Sequence, residues 1–239
     1  MSNVILQYLV PVITALAVCL NAIGGIFGVV VIPYNPERTE VSLGSNVTSD
    51  VDDVLEAYNN AVKKTGFVLG TYSYDFSETD FDTDNVKTNQ LLKTYFDSME
   101  ATSTAVFAVP GEGKLTKSDV KSAKMSVEDG KRTVIIKVKD YSHGLEDKSN
   151  NNPIVNAFGY STDTSSVFSA TGMTINGGEL EFNYTDCVIS CVIDDNGKII
   201  YGDWDVNCVT SAEDFSVSIK DYEVSMGSFD FTMAVNTDI

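Results

Sequence analysis

The tetrapeptide Asp195-Asn196-Gly197-Lys198 constrains this chain more than any other feature. Asn-Gly between two alternating runs predicts a two-residue type I′ turn, because both central positions need positive φ. With Asn196 and Gly197 in the loop, Asp195 faces Lys198 and the hairpin extends over Leu180–Cys208. Cys187, Ile189, Cys191 and Ile193 then share a face with Ile200, Gly202, Trp204, Val206 and Cys208. Ser190, Asp194, Asp203, Asp205 and Asn207 take the other face, where Val188 and Val192 are the apolar exceptions. A slip of one residue would turn the apolar set to the wrong side, so the pattern specifies one pairing. The single Trp sits at its centre.

A second hairpin follows from Asp129-Gly130. Ala123, Met125 and Val127 share a face with Arg132, Val134, Ile136 and Val138, while Lys124, Ser126, Glu128, Lys137 and Lys139 point away. Two hairpins, each with one apolar and one charged face, imply an antiparallel sheet covered on one side. Two amphipathic helices can cover it. The first starts near Ser49 or Asp50, carries Asp52 and Asp53 in its first turn, and ends at Gly66. Its apolar stripe is Val51, Val54, Leu55, Tyr58, Ala61 and Val62. The second is expected at Asn85–Glu100, with Leu91, Leu92, Tyr95, Phe96 and Met99 on its buried side.

Between and after these come strands at Phe67–Phe76, Ala105–Val109, Ser166–Ile175, Phe215–Ile219 and Tyr222–Val235. Thr116 and Asp119 resemble a capping box that opens one helical turn. Residues 142–164 read as a polar loop with one turn at Pro153–Phe158. The expected fold class is α+β: an antiparallel β-meander with helices packed on one face, preceded by an N-terminal transmembrane helix.

That preceding segment is Val4–Ile32, which holds no charged side chain. As one helix it would be about 44 Å long, against a bilayer core of about 30 Å. A membrane helix to about Leu20, a break at Asn21–Gly25 and a short apolar continuation fit that length. A cleaved signal peptide is the alternative. Against it, no Lys or Arg forms an n-region, and the apolar run outlasts a cleavage site. Val18 before Cys19 is bulkier than a lipoprotein signal prefers. Without basic flanks the positive-inside rule sets no orientation. The domain organisation is therefore residues 1–32 as anchor or signal segment, 33–48 as linker, and 49–239 as an extracytoplasmic α+β domain.

The formal charge of −18 falls wholly after the anchor, since the first charged residue is Glu37. An acidic surface repels phosphate backbones, which argues against nucleic-acid binding.

The candidate chemistry is sparse. Cys187 and Cys191 lie about 13 Å apart along one strand, too far for a disulfide or a shared metal ion. Cys208 is the diagonal neighbour of Cys187 at about 7–8 Å, so three small core thiols are the simpler reading. Asp80, Asp82 and Asp84 alternate like a calcium loop, but Asn85 replaces the required Gly and Leu91 the final Glu. Asp84 reads instead as a helix N-cap. His143, the only histidine, is expected in a loop. No nucleophile elbow or phosphate loop surrounds any residue. Tyr72, Tyr74 and Phe76 suit core packing or a ligand groove. The expectation is no catalytic residue, no metal, no cofactor and no enzyme.

Leu115–Ala123, the Asp129-Gly130 hairpin, Tyr184-Thr185-Asp186-Cys187 and Asp195–Lys198 together resemble uncharacterised exported, membrane-anchored proteins of Gram-positive bacteria. The resemblance spans about residues 50–239 and rests on turn and strand signatures, so it transfers no functional residue. Those relatives resemble lipoproteins or carry basic n-regions, and this chain departs from them there. Helices over a curved antiparallel sheet are also similar in architecture to the half-barrel of bacterial lipoprotein carriers. The expected function is a single-pass cell-membrane protein whose C-terminal domain lies outside the cytoplasm as a binding or interaction module of the cell envelope. Its partners would be the membrane, through residues 4–32, and an envelope protein or lipid-like ligand. A carrier of lipid or another apolar ligand is the alternative, and a hydrolase the second alternative. Trp204, Phe182, Tyr95, Phe96, Met99 and Met125 suffice either to fill a core or to line a pocket of several hundred Å3, about the range of ligand sites.

Overall fold

A computed structural model describes residues 41–82, 101–145, 149, 151–159, 173–219 and 222–239. Its elements in chain order are β1 (Val47–Thr48), α1 (Val51–Thr65), β2 (Phe67–Asp82), β3 (Ala101–Ala108), β4 (Val120–Glu128) and β5 (Lys131–Val138). They continue with β6 (Tyr141–Gly144), α2 (Pro153–Phe158), β7 (Met173–Tyr184), β8 (Val188–Ile193), β9 (Ile199–Ile219) and β10 (Tyr222–Asp238). The fold is α+β and dominated by one antiparallel sheet. Strand order is β1-β4-β5-β8-β9-β10-β2-β3, with β7 also on β9 and β6 on β7.

That order corrects the meander. Strands β8, β9 and β10 are consecutive neighbours, but β10 then pairs with β2, bringing the early β2–β3 hairpin beside the last strand. The expected strands before and after Ser211 are one continuous β9 of 21 residues. Its length lets β7 and β8 lie end to end along one edge, while β10 runs along the other.

The Asp129-Gly130 turn forms as its sequence dictates. Both residues have positive φ (50° and 77°), and Glu128 pairs with Lys131 and Val127 with Arg132. The Asn196-Gly197 turn does not. Only Gly197 has positive φ (74°), and Gly197 N–H donates to the Asp194 carbonyl at 3.0 Å. The Asp194 carboxylate accepts from Lys198 N–H at 2.8 Å, which favours this longer turn with a bulge. Beyond the bulge the expected register holds, with Ile189 opposite Trp204 and Cys191 opposite Gly202. At the bulge it shifts, so Ile199 is buried and Ile200 is half exposed. A second irregularity at Thr185–Cys187, with Asp186 at φ 52°, divides β7 from β8.

Helix α1 matches its stripe. Asp50 is the N-cap, accepting from the Asp52 and Asp53 N–H groups, and Gly66 is the C-cap. Val54, Leu55, Tyr58, Ala61 and Val62 are buried. Tyr58 lies against Trp204, whose Nε1 donates to the Tyr58 hydroxyl at 2.9 Å. The indole also needs Gly202, because a Cβ there would sit 2.3 Å from its Cη2. Helix α2 adds Ile154, Ala157 and Phe158 to the same core as Val134, Ile136, Ile189 and Phe182.

Three local expectations change. Val47–Thr48, read as linker, pairs with Ser126 and Met125, and Gly44 N–H donates to the Ser126 hydroxyl at 2.9 Å. That covering strand buries Ser126 on the face expected to be solvated. Thr116 and Asp119 form a tight turn without a helix, in which the Asp119 carboxylate accepts from Thr116 N–H at 2.8 Å. The polar loop begins later than residue 142, because Tyr141–Gly144 is strand β6. The helix expected at Asn85–Glu100, the start of the Ser166–Ile175 strand and the membrane segment at 4–32 lie outside the described residues. Among the described residues no helix is long and apolar enough to cross a membrane.

Candidate functional site

Among the described residues, two surface clefts and two buried clusters are places where chemistry could reside. The larger cleft, about 480 Å3, lies where α1 passes over the β4–β5 and β8–β9 turns. Ala61, Met125 and Ile193 form its apolar floor, and Asp53, Glu56, Asn60, Lys64 and Arg132 stand around it. Its size falls within the range of about 300–1,000 Å3 for small-ligand sites. Two acids and two cations around a narrow floor suit a polar contact better than an acyl chain. No Ser, Cys or His lines it.

A smaller cleft, about 400 Å3, lies across β7, β9 and β10. Glu179, Glu181, Glu213 and Asp230 line it with Ser211 and Ser228. Among the described residues, no group of three His, Cys, Asp or Glu side chains is arranged to hold a metal ion. Backbone pairings place Asp80 opposite Asp230 and Asp82 opposite Ser228, on the strand flanking this cleft. Asp84 lies outside the described residues.

Cys187, Cys191 and Cys208 are buried free thiols. Desolvation raises Cys187 to about 11, against a weaker opposing hydrogen bond with the Asn207 backbone. Desolvation alone raises Cys191 to about 12. It also raises Cys208 to about 12, opposed by hydrogen bonds with Thr210 and Tyr184. A nucleophilic or metal-binding cysteine needs the opposite shift, toward thiolate. These side chains act as small apolar filling. Burial likewise holds the Tyr58 phenol well above the usual tyrosine range, so it is a neutral hydrogen-bond partner for Trp204.

His143 is a correction: it is buried, in strand β6, opposite Phe182. Its ring stacks on Phe182 at 5.0 Å and on Tyr184 at 5.8 Å, with Tyr141 tilted at 5.7 Å. Nδ1 lies 3.0 Å from the Gly144 carbonyl, which can only accept, so Nδ1 carries the proton of this bond. The signal was available in the sequence. Tyr141, His143 and Leu145 alternate with the small residues Ser142 and Gly144, a period of two that marks a half-buried strand. An aromatic box around a single histidine gives it a packing role.

Of the large residues expected on inner faces, Trp204, Phe182 and Met125 are brought into one core. Tyr95, Phe96 and Met99 lie outside the described residues. Tyr72, Tyr74 and Phe76 are placed in β2 by pairing with Thr237, Val235 and Met233. No protein-family model, no curated protein and no solved structure matches this chain.

Proposed function

We propose that the chain is a membrane-anchored protein of the cell envelope, held by residues 4–32, whose domain outside the cytoplasm is a binding or interaction module. The observation that carries this reading is how the large apolar side chains are used. Trp204 and Phe182 are fully buried and Met125 nearly so, in one cluster with both helices. A lipid carrier would need such residues around an apolar chamber, and the larger cleft instead has a charged rim. A hydrolase would need a nucleophile, a base and an orienting group together. The three thiols are shifted away from reactivity, and His143 is packed among aromatics.

The test uses the full chain. It should stay with membranes through a high-salt wash, and protease added to intact protoplasts should digest the domain. Protein recovered in the medium and starting beyond residue 25 would replace the anchor with a cleaved signal. Native mass spectrometry of the detergent-extracted chain should give the mass of protein alone. A co-purifying lipid whose removal lowers the melting temperature would make the carrier reading the better one.

A further inference from the structure

The described residues include five large apolar side chains that are markedly exposed: Val47, Phe67, Leu69, Val127 and Ile200. They do not scatter. The turns at Asp129-Gly130 and Asp194–Gly197 lie side by side, with Gly130 next to Asp195 and Arg132 paired with Ile193. Val127 and Ile200 adjoin these turns, and Val47 pairs beside Val127 at Ser126. The C-terminus of α1 reaches the same place: Lys64 bonds the Asn196 carbonyl, and the Thr65 hydroxyl accepts from Ile199 N–H at 2.8 Å. Phe67 starts β2 two residues later. Phe67 and Leu69 extend past the end of β10, whose last pairing with β2 joins Asp238 to Thr71. All five therefore occupy one end of the sheet.

Charge divides the molecule in the same direction. At this end five cations (Lys63, Lys64, Lys131, Arg132, Lys198) stand against six carboxylates (Asp53, Glu56, Glu128, Asp129, Asp194, Asp195), nearly in balance in a chain of net charge −18. At the other end lie Glu179, Glu181, Glu213 and Asp230. An anionic surface would repel this domain least in the orientation that presents the apolar, nearly charge-balanced end.

The chain enters at that end. Gly44 runs beside Ser126 and Glu128, and β1 leads away from the turn. Residues 33–40 therefore bridge from the apolar segment to this end and reach at most about 30 Å. So short a tether keeps the end close to whatever holds residues 4–32.

We infer that this end of the sheet docks on the lipid bilayer, with Phe67, Leu69, Val127 and Ile200 in the interface and the neighbouring lysines and arginine at anionic headgroups. Exposed apolar side chains with long cationic side chains beside them suit such an interface, the lysines and arginine reaching past their carboxylate neighbours to the headgroups. The acidic cleft across β7, β9 and β10 then faces away from the membrane, where a partner can reach it. This inference rests on the anchored reading proposed above.

The experiment uses the full chain in vesicles of phosphatidylcholine with about one-third phosphatidylglycerol, with and without brominated acyl chains. Phe67→Trp provides the reporter, at a side chain 77% exposed, while the native Trp204 is fully buried and stays silent. Brominated lipid should lower the emission of the Phe67→Trp reporter about twofold, as expected for a ring at the interface. A Glu213→Trp reporter at the far end should not respond. Lys131→Glu with Arg132→Glu should reduce the Phe67→Trp response while the chain still floats with the vesicles.

Flotation with no quenching of Phe67→Trp would overturn the docking and leave the anchor standing. A blue-shifted but unquenched reporter would mean that a second copy of the chain covers this end, which also overturns it. A chain that does not float overturns the anchor and the docking together.

Discussion

At one end of β9, helix α1 lies across the sheet and Tyr58 meets Trp204; at the other, β9 continues to Ile219 between β7 and β10. The helix-covered end is built from short links. Its two turns close neighbouring strands, and its buried residues are mostly apolar (Val54, Ile136, Ile189, Cys191), with Ser126 and Thr237 among them. The far end depends on register kept over long strands. Its ladders shift around Gly177 and Gly227, and its buried set mixes Phe182 and Phe215 with His143 and Thr210. The difference shows two ways to close a sheet. One covers it with a helix, and the other relies on ladder length and on polar groups that need partners.

The largest expected effect tests whether the two ends fold as one. Trp204→Ala removes a fully buried indole and the donor to the Tyr58 hydroxyl, and should cost about 3–5 kcal/mol in urea denaturation. Because β9 passes through both ends, amides in 179–184 and 210–215 should lose hydrogen-exchange protection with those around residue 204. If the far-end amides keep wild-type protection, the ends are separate cooperative units and the comparison must be redrawn.

Alkali should act at both ends, through the thiols. Their ordinary value of 9.0 is raised to about 11 for Cys187 and about 12 for Cys191 and Cys208. Between those values the unfolded chain releases protons that the folded chain keeps. The stabilisation is therefore complete below about pH 9 and lost as pH rises toward 11–12, by at most about 1.4 kcal/mol per pH unit for each thiol. Cys191→Ala should flatten this decline by a share similar to that of Cys208→Ala. An unchanged slope in both would show that other groups carry it. All three thiols should resist alkylation at pH 8 in the folded chain and react fully after denaturation without reductant.

The helix-covered end was also the more legible in sequence. Asp50, the stripe from Val54 to Val62 and Gly66 are local signals, and α1 follows them. Asp129-Gly130 set its register correctly because both residues took the backbone angles that the turn demands. At Asn196-Gly197 the turn is one residue longer than the dipeptide dictates, since the Asp194 carboxylate competes for Lys198 N–H and stabilises a longer turn. That one residue is why Ile199, and not Ile200, is buried. The far end was harder to read because its information is non-local. The pairing of β10 with β2 joins residues well over a hundred positions apart, which no short-range pattern encodes. His143 taken alone carries no strand signal; its burial follows from the alternation it shares with Tyr141 in β6 and from its place opposite Phe182.

Two glycines compare the packing directly. Gly202→Ala places a methyl group 2.3 Å from the Trp204 ring, so the indole must move, at a cost of about 1–3 kcal/mol. Gly177, at the far end, has the Ser216 hydroxyl 3.7 Å from where its Cβ would be, an ordinary contact. Gly177→Ala should be neutral or stabilise by about 0.4–1 kcal/mol, by restricting the unfolded chain. Denaturation midpoints decide between them. Equal losses would mean that the far end is packed as tightly as the other.

The smallest effect addresses the helix itself. Asp50 accepts from Asp52 N–H at 3.0 Å and from Asp53 N–H at 3.4 Å, and its charge faces the positive end of α1. Asp50→Ala should cost about 1 kcal/mol, the usual value of an N-cap. Asp50→Asn keeps the accepting oxygen and should recover most of that loss, which separates capping from charge. The first turn of α1 should exchange faster. So should Ser126 and its neighbours in β4, because Val51 and Val54 pack over that end of the sheet and β1 follows the same chain into it. Amides at 179–184 have no contact with this turn and should keep their protection. If they lose it by the same factor, α1 supports the whole sheet and not one end of it. The opposing ends would then differ in composition but not in how they are held.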